Sequence, residues 1–569
     1  MPLRSYPPGR MVAYLGPTNS GKTHRGIECL VASGEGVYAA PLRMLAWEGY
    51  ERLAARLGDQ NVGLVTGEER INEDAPITCR TAEMAPMRCK TLVLDEVQWA
   101  ADPERGWAWT RLLAGCECDE LVLTGEVGAL PLVRSVLGDV GVEVEFCDRL
   151  SPLTVSHKPV KLSNVPDRSV VVAFSRKAVH HVAGLLTQSG RSVAVLYGAL
   201  PPEARRLQVA RFVSGEAEVC VATDVIGHGV NLPCDAVYFT ETSKFDGEVR
   251  RSLLPWEIAQ IGGRAGRYGL SSKGEVGVVK GLVGFNADIS LVKRIENPGK
   301  LIEGRPAYRE VKWGLVAPTL DDLDVSEPEE LAEALNKWST SAVNALAEFS
   351  WARVADLRPL ISRLRVLSRK QKQKGQSKKG MKSASLLTEM SLDDAWHLAR
   401  APLDMDDQLD TWTLIETAKA ILDRSHELGT MLYIKTKTAT IETLEQRARV
   451  LTALRWATLA FPDRIGGISH KQVVGKLDSV AQSLNAKLDR AVRNGIARCI
   501  SCGNICAPWF SECDECHRRR ISYRFGWRDW EEEEDWDECD DDEDDENWDE
   551  GGGDDWDEEE GKGLSGNDD

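Results

Sequence analysis

The sequence predicts an α/β protein: two tandem α/β lobes, then a helical region, a small cysteine-rich ribbon and a disordered acidic tail. Three observations carry this. Short apolar runs alternate with helical patterns in two successive series, helical periodicity alone continues beyond Leu282, and cysteine and acid are concentrated near the C-terminal end. At 569 residues the chain is too long for one ordinary core, and a hydrophobic content of 42% is enough for several.

Residues 11 to 146 carry the runs MVAYLG, GVYAAP, TLVLDE, ELVLTGE and VEVEF, spaced by longer helical segments. That is the pattern of a mostly parallel sheet with crossover helices. A Pro-containing polar stretch from Asp148 to Asp167 reads as a linker. The series resumes with SVVVAF, SVAVLYG, EVCVATD, DAVYFT and GEVGVV, up to about residue 280. The expected domains are therefore 1–150 and 151–282 for the lobes, 283–495 for the helical region, 496–525 for the ribbon and 526–569 for the tail. In the helical region SEPEELAEALNKW sets Ser326 and Glu329 at capping-box spacing and Leu331, Leu335 and Trp338 on one face. Residues 363 to 382, RLRVLSRKQKQKGQSKKGMK, hold nine basic residues and no acidic one. A solvated linker and a phosphate-contacting loop are both open readings of it.

Net charge is −19, which taken whole argues against a polyanionic partner. Its distribution argues otherwise. From Asp529 onward there are 25 acidic residues and one lysine; residues 1 to 528 hold 69 basic against 64 acidic residues, a net +5. Five of the 14 cysteines fall between Cys499 and Cys516, the signature of a metal site in a reducing compartment and not of a disulfide framework. No run approaches the ~18 apolar residues of a membrane span. The first strand begins near Met11, leaving no room for a signal or transit peptide. A cytoplasmic protein without membrane contact is expected.

GPTNSGKT follows the run MVAYL and precedes a helical segment, the context that a P-loop requires. Gly16, Pro17, Thr18, Asn19, Ser20 and Gly21 would wrap the phosphates of ATP with backbone N–H groups. Lys22 would add a point charge and Thr23 a hydroxyl for magnesium. LVLDEVQ then sets two carboxylates at the end of a buried strand, Asp95 to hold magnesium and Glu96 to take a proton from the attacking water. The second lobe supplies QIGGRAGR. Gln260 is placed to orient the water, and Arg264 and Arg267, three residues apart, are expected to share one helix face aimed at the γ-phosphate.

GPTNSGKT, LDEVQ, ATDVIGHGVNL and QIGGRAGR, in this order and spacing, resemble motifs I, II, V and VI of superfamily 2 DExH-type helicases with two RecA-like lobes. The chain is most similar to the mitochondrial degradosome RNA helicase family and its bacterial relatives. APLRML, TGEER, TAEM, LTGE, FSRK and LYGALPPEARR fall where that family has its other motifs, and LTALRWATLAFPD, from Leu451 to Asp463, resembles a helical segment late in the family's C-terminal region. The resemblance implies ATP-driven unwinding of or translocation on single-stranded or partly duplex RNA, with 3′-to-5′ polarity and an exoribonuclease as candidate partner. It also implies that Pro41, Leu42, Arg43, Thr66, Gly67 and Thr81 contact the strand from the first lobe, and Ser175, Arg176 and Thr223 from the second. Thr124 would couple the lobes, and Asp224 and Gly227 would lie near the nucleotide. The chain lacks the family's extension before motif I. A DNA helicase of the same superfamily, or an ATP-gated nucleic-acid clamp, are the alternative readings.

Two further features are added at the C-terminal end. Cys499 and Cys502, then Cys513 and Cys516, form two Cys-x2-Cys knuckles ten residues apart, suited to a closed tetrahedral zinc site, with Cys506 as a spare ligand and Arg518, Arg519 and Arg520 beside it. The tail pairs its carboxylates with Trp530, Trp536, Trp548 and Trp556. A solubilising tail is one reading. The other is a mimic of single-stranded nucleic acid that occupies the RNA groove in cis or binds a basic partner.

Overall fold

The computed structural model describes residues 8–516 except 103, 138–140, 157, 228–231, 246–248, 267–272, 294–313, 349–351, 370–384, 424–425, 427, 434–438, 463, 507–512 and 514–515. The acidic tail, Arg518 to Arg520, Arg267 and most of the basic stretch lie outside the described residues.

The first lobe is an eight-stranded sheet of β1 (Arg10–Leu15), β2 (Gly36–Ala40), β3 (Val62–Val65), β4 (Arg70–Ile71), β5 (Ile77–Thr81), β6 (Thr91–Leu94), β7 (Glu120–Gly125) and β8 (Glu143–Phe146). Its order is β4-β3-β5-β2-β6-β7-β1-β8, parallel except where β4 meets β3. Central strands such as β2 and β6 are buried along their whole length, because α1 (Lys22–Ser33), α2 (Arg43–Leu57), α3 (Gly106–Gly115) and α4 (Leu130–Leu137) cover the sheet.

The second lobe has a seven-stranded parallel sheet. Its strands are β9 (Leu153–Val155), β10 (Val160–Lys161), β11 (Ser169–Val172), β12 (Val193–Leu196), β13 (Val219–Ala222) and β14 (Ala236–Phe239), and after the hairpin β15 (Ser243–Phe245) and β16 (Arg250–Ser252) it gains β17 (Gly274–Lys280). Helices α5 (Arg176–Gln188), α6 (Pro202–Val213), α7 (Pro255–Gly262) and the short α8 (Ile289–Lys293) complete it.

The helical region adds α9 (Leu331–Ala345), α10 (Arg358–Leu367), α11 (Leu392–Ala399), α12 (Gln408–Leu422), α13 (Ile441–Ala460) and α14 (His470–Asn494). Leu331 and Leu335 are buried as expected. The cap differs from the expected one: Glu330, not Glu329, accepts from the N–H groups of Ser326 and Glu327, and the intervening 3-10 turn Pro328–Glu330 delays the helix to Leu331. Nor does the boundary at 282 separate cores. Leu444, Leu451, Leu477, Leu484 and Leu488 of α13 and α14 share one core with Val179, Val182 and Leu186 of α5. Trp107 of α3 packs against both the first lobe's core and that of the helical region.

The three parts meet at Arg455 on α13, whose side chain is 2% exposed. It pairs with Glu68 and Glu69 of the first lobe, the latter at 3.6 Å, and with Glu203 of the second at 3.0 Å. Glu68 also pairs with Arg43, and Glu69 with Arg206 at 3.3 Å. Burial opposes the charge on Arg455, but its carboxylates outweigh that and raise its pKa.

Candidate active site between the lobes

The P-loop turns off the end of β1, and its shape follows from two left-handed residues, Asn19 (φ 63°) and Gly21 (φ 79°). A Cβ on Gly16 would lie 2.2 Å from the carbonyl of Cys147, so only glycine fits there. Helix α1 opens at Lys22 without a side-chain cap or an acidic residue in its first turn. Its first N–H groups are thus free to meet an anion. Ser20 Oγ is buried without a hydrogen-bond partner, and Lys22 is buried with its Nζ 3.6 Å from Glu96 Oε1. A buried cation, an orphaned hydroxyl and an uncapped helix start fit a triphosphate.

Asp95 and Glu96 follow β6. Asp95 is 2% exposed. Its Oδ1 accepts from Thr23 Oγ1 at 3.2 Å and from Thr124 Oγ1, its Oδ2 from Tyr38 OH at 2.6 Å, and its carbonyl from Trp109 Nε1 at 3.0 Å. Burial, then the neighbouring Glu96, raises its pKa, and its carboxylate oxygen beside the Thr23 hydroxyl forms a hard oxygen donor set of the kind that suits magnesium. Glu96 sits at φ 50°, a conformation that non-glycine residues hold only when surroundings impose it. Its Oε2 accepts from Gln98 Nε2 at 2.5 Å, and Gln98 Oε1 in turn accepts from the N–H of Glu126 at 3.2 Å. Burial would raise Glu96, but Lys22, Gln98 and Arg264 more than offset it and hold the group below the usual carboxylate range. It is therefore ionised and aimed, as a proton acceptor must be.

From the second lobe, Gln260 lies on the last turn of α7 and Arg264 lies beyond it. The expectation of a shared helix face for Arg264 and Arg267 fails, because the helix ends at Gly262 and Gly266 turns left-handed (φ 73°). Arg264 is instead carried on the turn. Its Nη2 donates to the carbonyl of Gly227 at 2.8 Å, and burial, opposed first by Glu96, lowers its pKa. Asn19 Nδ2 donates across the cleft to the carbonyl of Gly266 at 2.7 Å, so the P-loop and this turn are in contact. Asp224 opens the turn that ends at Gly227 and pairs with Lys244 at 3.1 Å.

The residues expected to touch a strand lie at the C-terminal ends of parallel strands, on β2, β3 and β5 in one lobe and β11 and β13 in the other. Pro41 and Leu42 lead into Arg43, which starts α2. Gly67 lies against Trp456 of α13, and Thr81 ends β5, buried. Several polar groups already have partners. Thr66 Oγ1 accepts from the N–H groups of Glu68 and Glu69, Ser175 caps α5, and Thr223 Oγ1 accepts from the N–H of Val225 at 3.4 Å. Arg176 pairs with Glu442 at 2.6 Å and Glu445 at 3.0 Å, both on α13.

Residues 4–148 match the family described as the DEXQ-box helicase domain of Suv3, and residues 154–269 the helicase conserved C-terminal domain. Over 496 residues the chain is 32% identical to the DExH-box ATP-dependent RNA helicase DExH16, mitochondrial, of Arabidopsis thaliana, covering 82% of this chain and 80% of that one. The chain belongs to the Suv3 family of superfamily 2 helicases. It is 40% identical over 304 residues to the ATP-dependent RNA helicase SUV3, mitochondrial, of Saccharomyces paradoxus, a match spanning 51% of this chain and 41% of the relative, and thus less than half of the relative's length. A Suv3 relative of Oryza sativa subsp. japonica, also named mitochondrial, is 40% identical over 306 residues, 51% of each chain. These names overturn the cytoplasmic expectation, which leaned on a missing leader; an absence of that kind fixes no compartment.

In this Suv3-family chain the sulfur atoms of Cys499, Cys502, Cys513 and Cys516 lie within 4.8 Å of one another, with Cys502 and Cys513 3.6 Å apart. Four thiolates at Zn–S distances of about 2.3 Å would stand roughly 3.8 Å apart, so the set fits a closed zinc site. Cys506 is buried and outside this cluster. Four residues at the site escaped the motif reading: Tyr38, Gln98 as a partner of Glu96, Arg149 and Arg455. A tyrosine inside the apolar run GVYAA and an arginine inside LTALRWATLA were the available signals, since each buries a polar end that needs a partner.

Proposed function

We propose that the chain hydrolyses ATP between its lobes and couples this to 3′-to-5′ translocation on RNA, separating strands in RNA turnover or remodelling. The observation that carries the reading is the pairing of buried Lys22 with Glu96 at 3.6 Å, with Arg264 of the second lobe close enough to act on Glu96 electrostatically. In this reading Lys22 neutralises phosphate charge, Thr23 and Asp95 hold magnesium, and Glu96 takes the proton of the attacking water, which Gln260 orients. Arg264, with Arg267, meets the charge that develops on the γ-phosphoryl group. Magnesium, when bound by Thr23 and Asp95, would supply positive charge against the phosphate oxygens. Backbone and side-chain groups at Pro41 to Arg43, Thr66, Gly67 and Thr81, and at Ser175, Arg176 and Thr223, grip the strand without reading its sequence. Four cysteines hold a structural zinc, an exoribonuclease is the candidate partner, and the acidic tail competes for the RNA groove. The relatives' names, ATP-dependent RNA helicases, support the choice of RNA over DNA.

Two measurements test this. ATPase rates with matched single-stranded RNA and DNA should rise with RNA only, and strand displacement should need a 3′ overhang. Lys22→Ala and Glu96→Gln should each lower hydrolysis by roughly 100- to 10,000-fold; appreciable turnover in both would overturn the site, and equal stimulation by DNA would favour the DNA reading.

A further inference from the structure

Between the lobes the chain runs from β8 to β9 directly beside the P-loop. The N–H of Cys147 donates to the carbonyl of Leu15 at 2.8 Å, and that of Leu150 to the carbonyl of Asn19 at 2.9 Å. The reason is geometric: a loop that turns its N–H groups toward phosphate turns its carbonyls the other way, and something must satisfy them. Arg149 is the side chain that does so. Its Nη1 donates to the carbonyl of Thr18 and to the carbonyl of Gly263, both at 2.8 Å, its Nη2 to the carbonyl of Ala265, and its Nε to that of Ser151 at 2.8 Å. Burial lowers its pKa to about 10, so it stays charged at neutral pH.

The identity of these acceptors matters. Gly263 and Ala265 are the residues on either side of Arg264, and Thr18 belongs to the phosphate cradle. One rigid, planar guanidinium thus spans the P-loop and the carbonyls of the two residues that flank the arginine expected to act on the γ-phosphate, one of them in the peptide group that leads into it. No motif includes Arg149.

We propose that Arg149 is a positioning residue for ATP hydrolysis, a clamp that sets Arg264 in register with the P-loop when the lobes are closed. The inference rests on the ATPase reading above. It acts only across the closed cleft, because Thr18 belongs to one lobe and Gly263 and Ala265 to the other; separating them breaks the shared Nη1 contact. Nucleotide binding to the first lobe alone does not need it. A misplacement of Arg264 by about 1 Å is enough to cost roughly 100-fold in rate.

The test is Arg149→Ala in the full chain at saturating RNA. Turnover is expected to fall 10- to 100-fold while the Kd for ADP stays within threefold, and millimolar guanidinium should restore part of the turnover by entering the vacated site. Wild-type turnover in Arg149→Ala overturns the inference. So does a parallel loss of ADP affinity and turnover, which would mean that Arg149 merely shapes the P-loop. A wild-type chain without RNA-stimulated ATPase would instead refute the underlying function. Should the alanine variant not fold, Arg149→Lys carries the same split: a point charge cannot span three carbonyls, so turnover should fall at least fivefold with ADP affinity kept.

Discussion

Replacing Arg455 with methionine removes a cation and keeps most of its volume. Arg455, Glu68 and Glu203 have side chains only 2%, 3% and 9% exposed, so water cannot take over the role of the lost guanidinium. Glu68 keeps Arg43, but Glu203 loses the donor to its Oε1, and its Oε2 has no hydrogen-bond partner already. Removing one member of such a buried network costs about 3–5 kcal/mol. Urea unfolding followed by tryptophan fluorescence measures this as a lowered midpoint at constant slope. The origin of the loss is then isolated by adding Glu68→Gln and Glu203→Gln to Arg455→Met. With the two most deeply buried carboxylates neutral, part of the stability should return, because Glu69 keeps Arg206 and the half-exposed Arg43 keeps water, and neutral groups bury at far lower cost than unpaired ions. A single-variant loss below about 1 kcal/mol, or a triple variant no better than the single one, would refute the view that Arg455 fastens both lobes through its charge.

Three other expectations follow from the same structure. Burial lowers His180 to about 4, so it is neutral when folded and protonates near 6.5 when unfolded. Its stabilisation, at most about 3 kcal/mol, is complete above pH 6.5 and lost as pH falls to about 4; the difference in urea midpoint between wild type and His180→Phe should therefore shift over that window, and a flat difference would sink the assignment. Purified protein should carry about one zinc per chain by atomic absorption, and Cys502→Ser with Cys513→Ser should abolish it while ATPase turnover persists; stoichiometric zinc in the double variant would disprove the four-thiol site. A chain ending at Gly526 loses a net charge of −23 and should bind RNA more tightly at low salt. Equal affinity and equal RNA-stimulated ATPase would remove the tail from the groove.

The lobes and the nucleotide cradle were legible because each requirement is met inside one short segment. GPTNSGKT contains its own turn, cation and hydroxyl, and LVLDEVQ contains the buried strand that aims Asp95, although the hold of Gln98 on Glu96 shows only in the fold. QIGGRAGR was half legible: its residues point to the cleft, but the three-residue spacing suggests a helix face that the glycines actually end. Arg149 and Arg455 could not be read this way. Their partners lie 131 residues away at Thr18 and 387 at Glu68, and only the fold supplies those distances.

These two arginines share a property that bears on how the molecule works. Each is a cation, Arg149 half-buried and Arg455 fully buried, whose acceptors are divided between the lobes, one beside the P-loop and one behind Arg43. Arg149 joins neutral carbonyls, and its contacts are remade without stranding a charge. Arg455 joins carboxylates, and breaking them leaves ions in a dry interface at several kcal/mol. Opening the cleft at the nucleotide is therefore the less costly motion, and opening it at Arg455 the more costly one. A closed pair of lobes held in this way should hinge about the α13 contact, widening at the P-loop first. In the proposed ATPase, ATP binding and release would then move the lobes mainly at the nucleotide, while Arg43 and Arg176, both tied to the α13 contacts, would stay with the helical region.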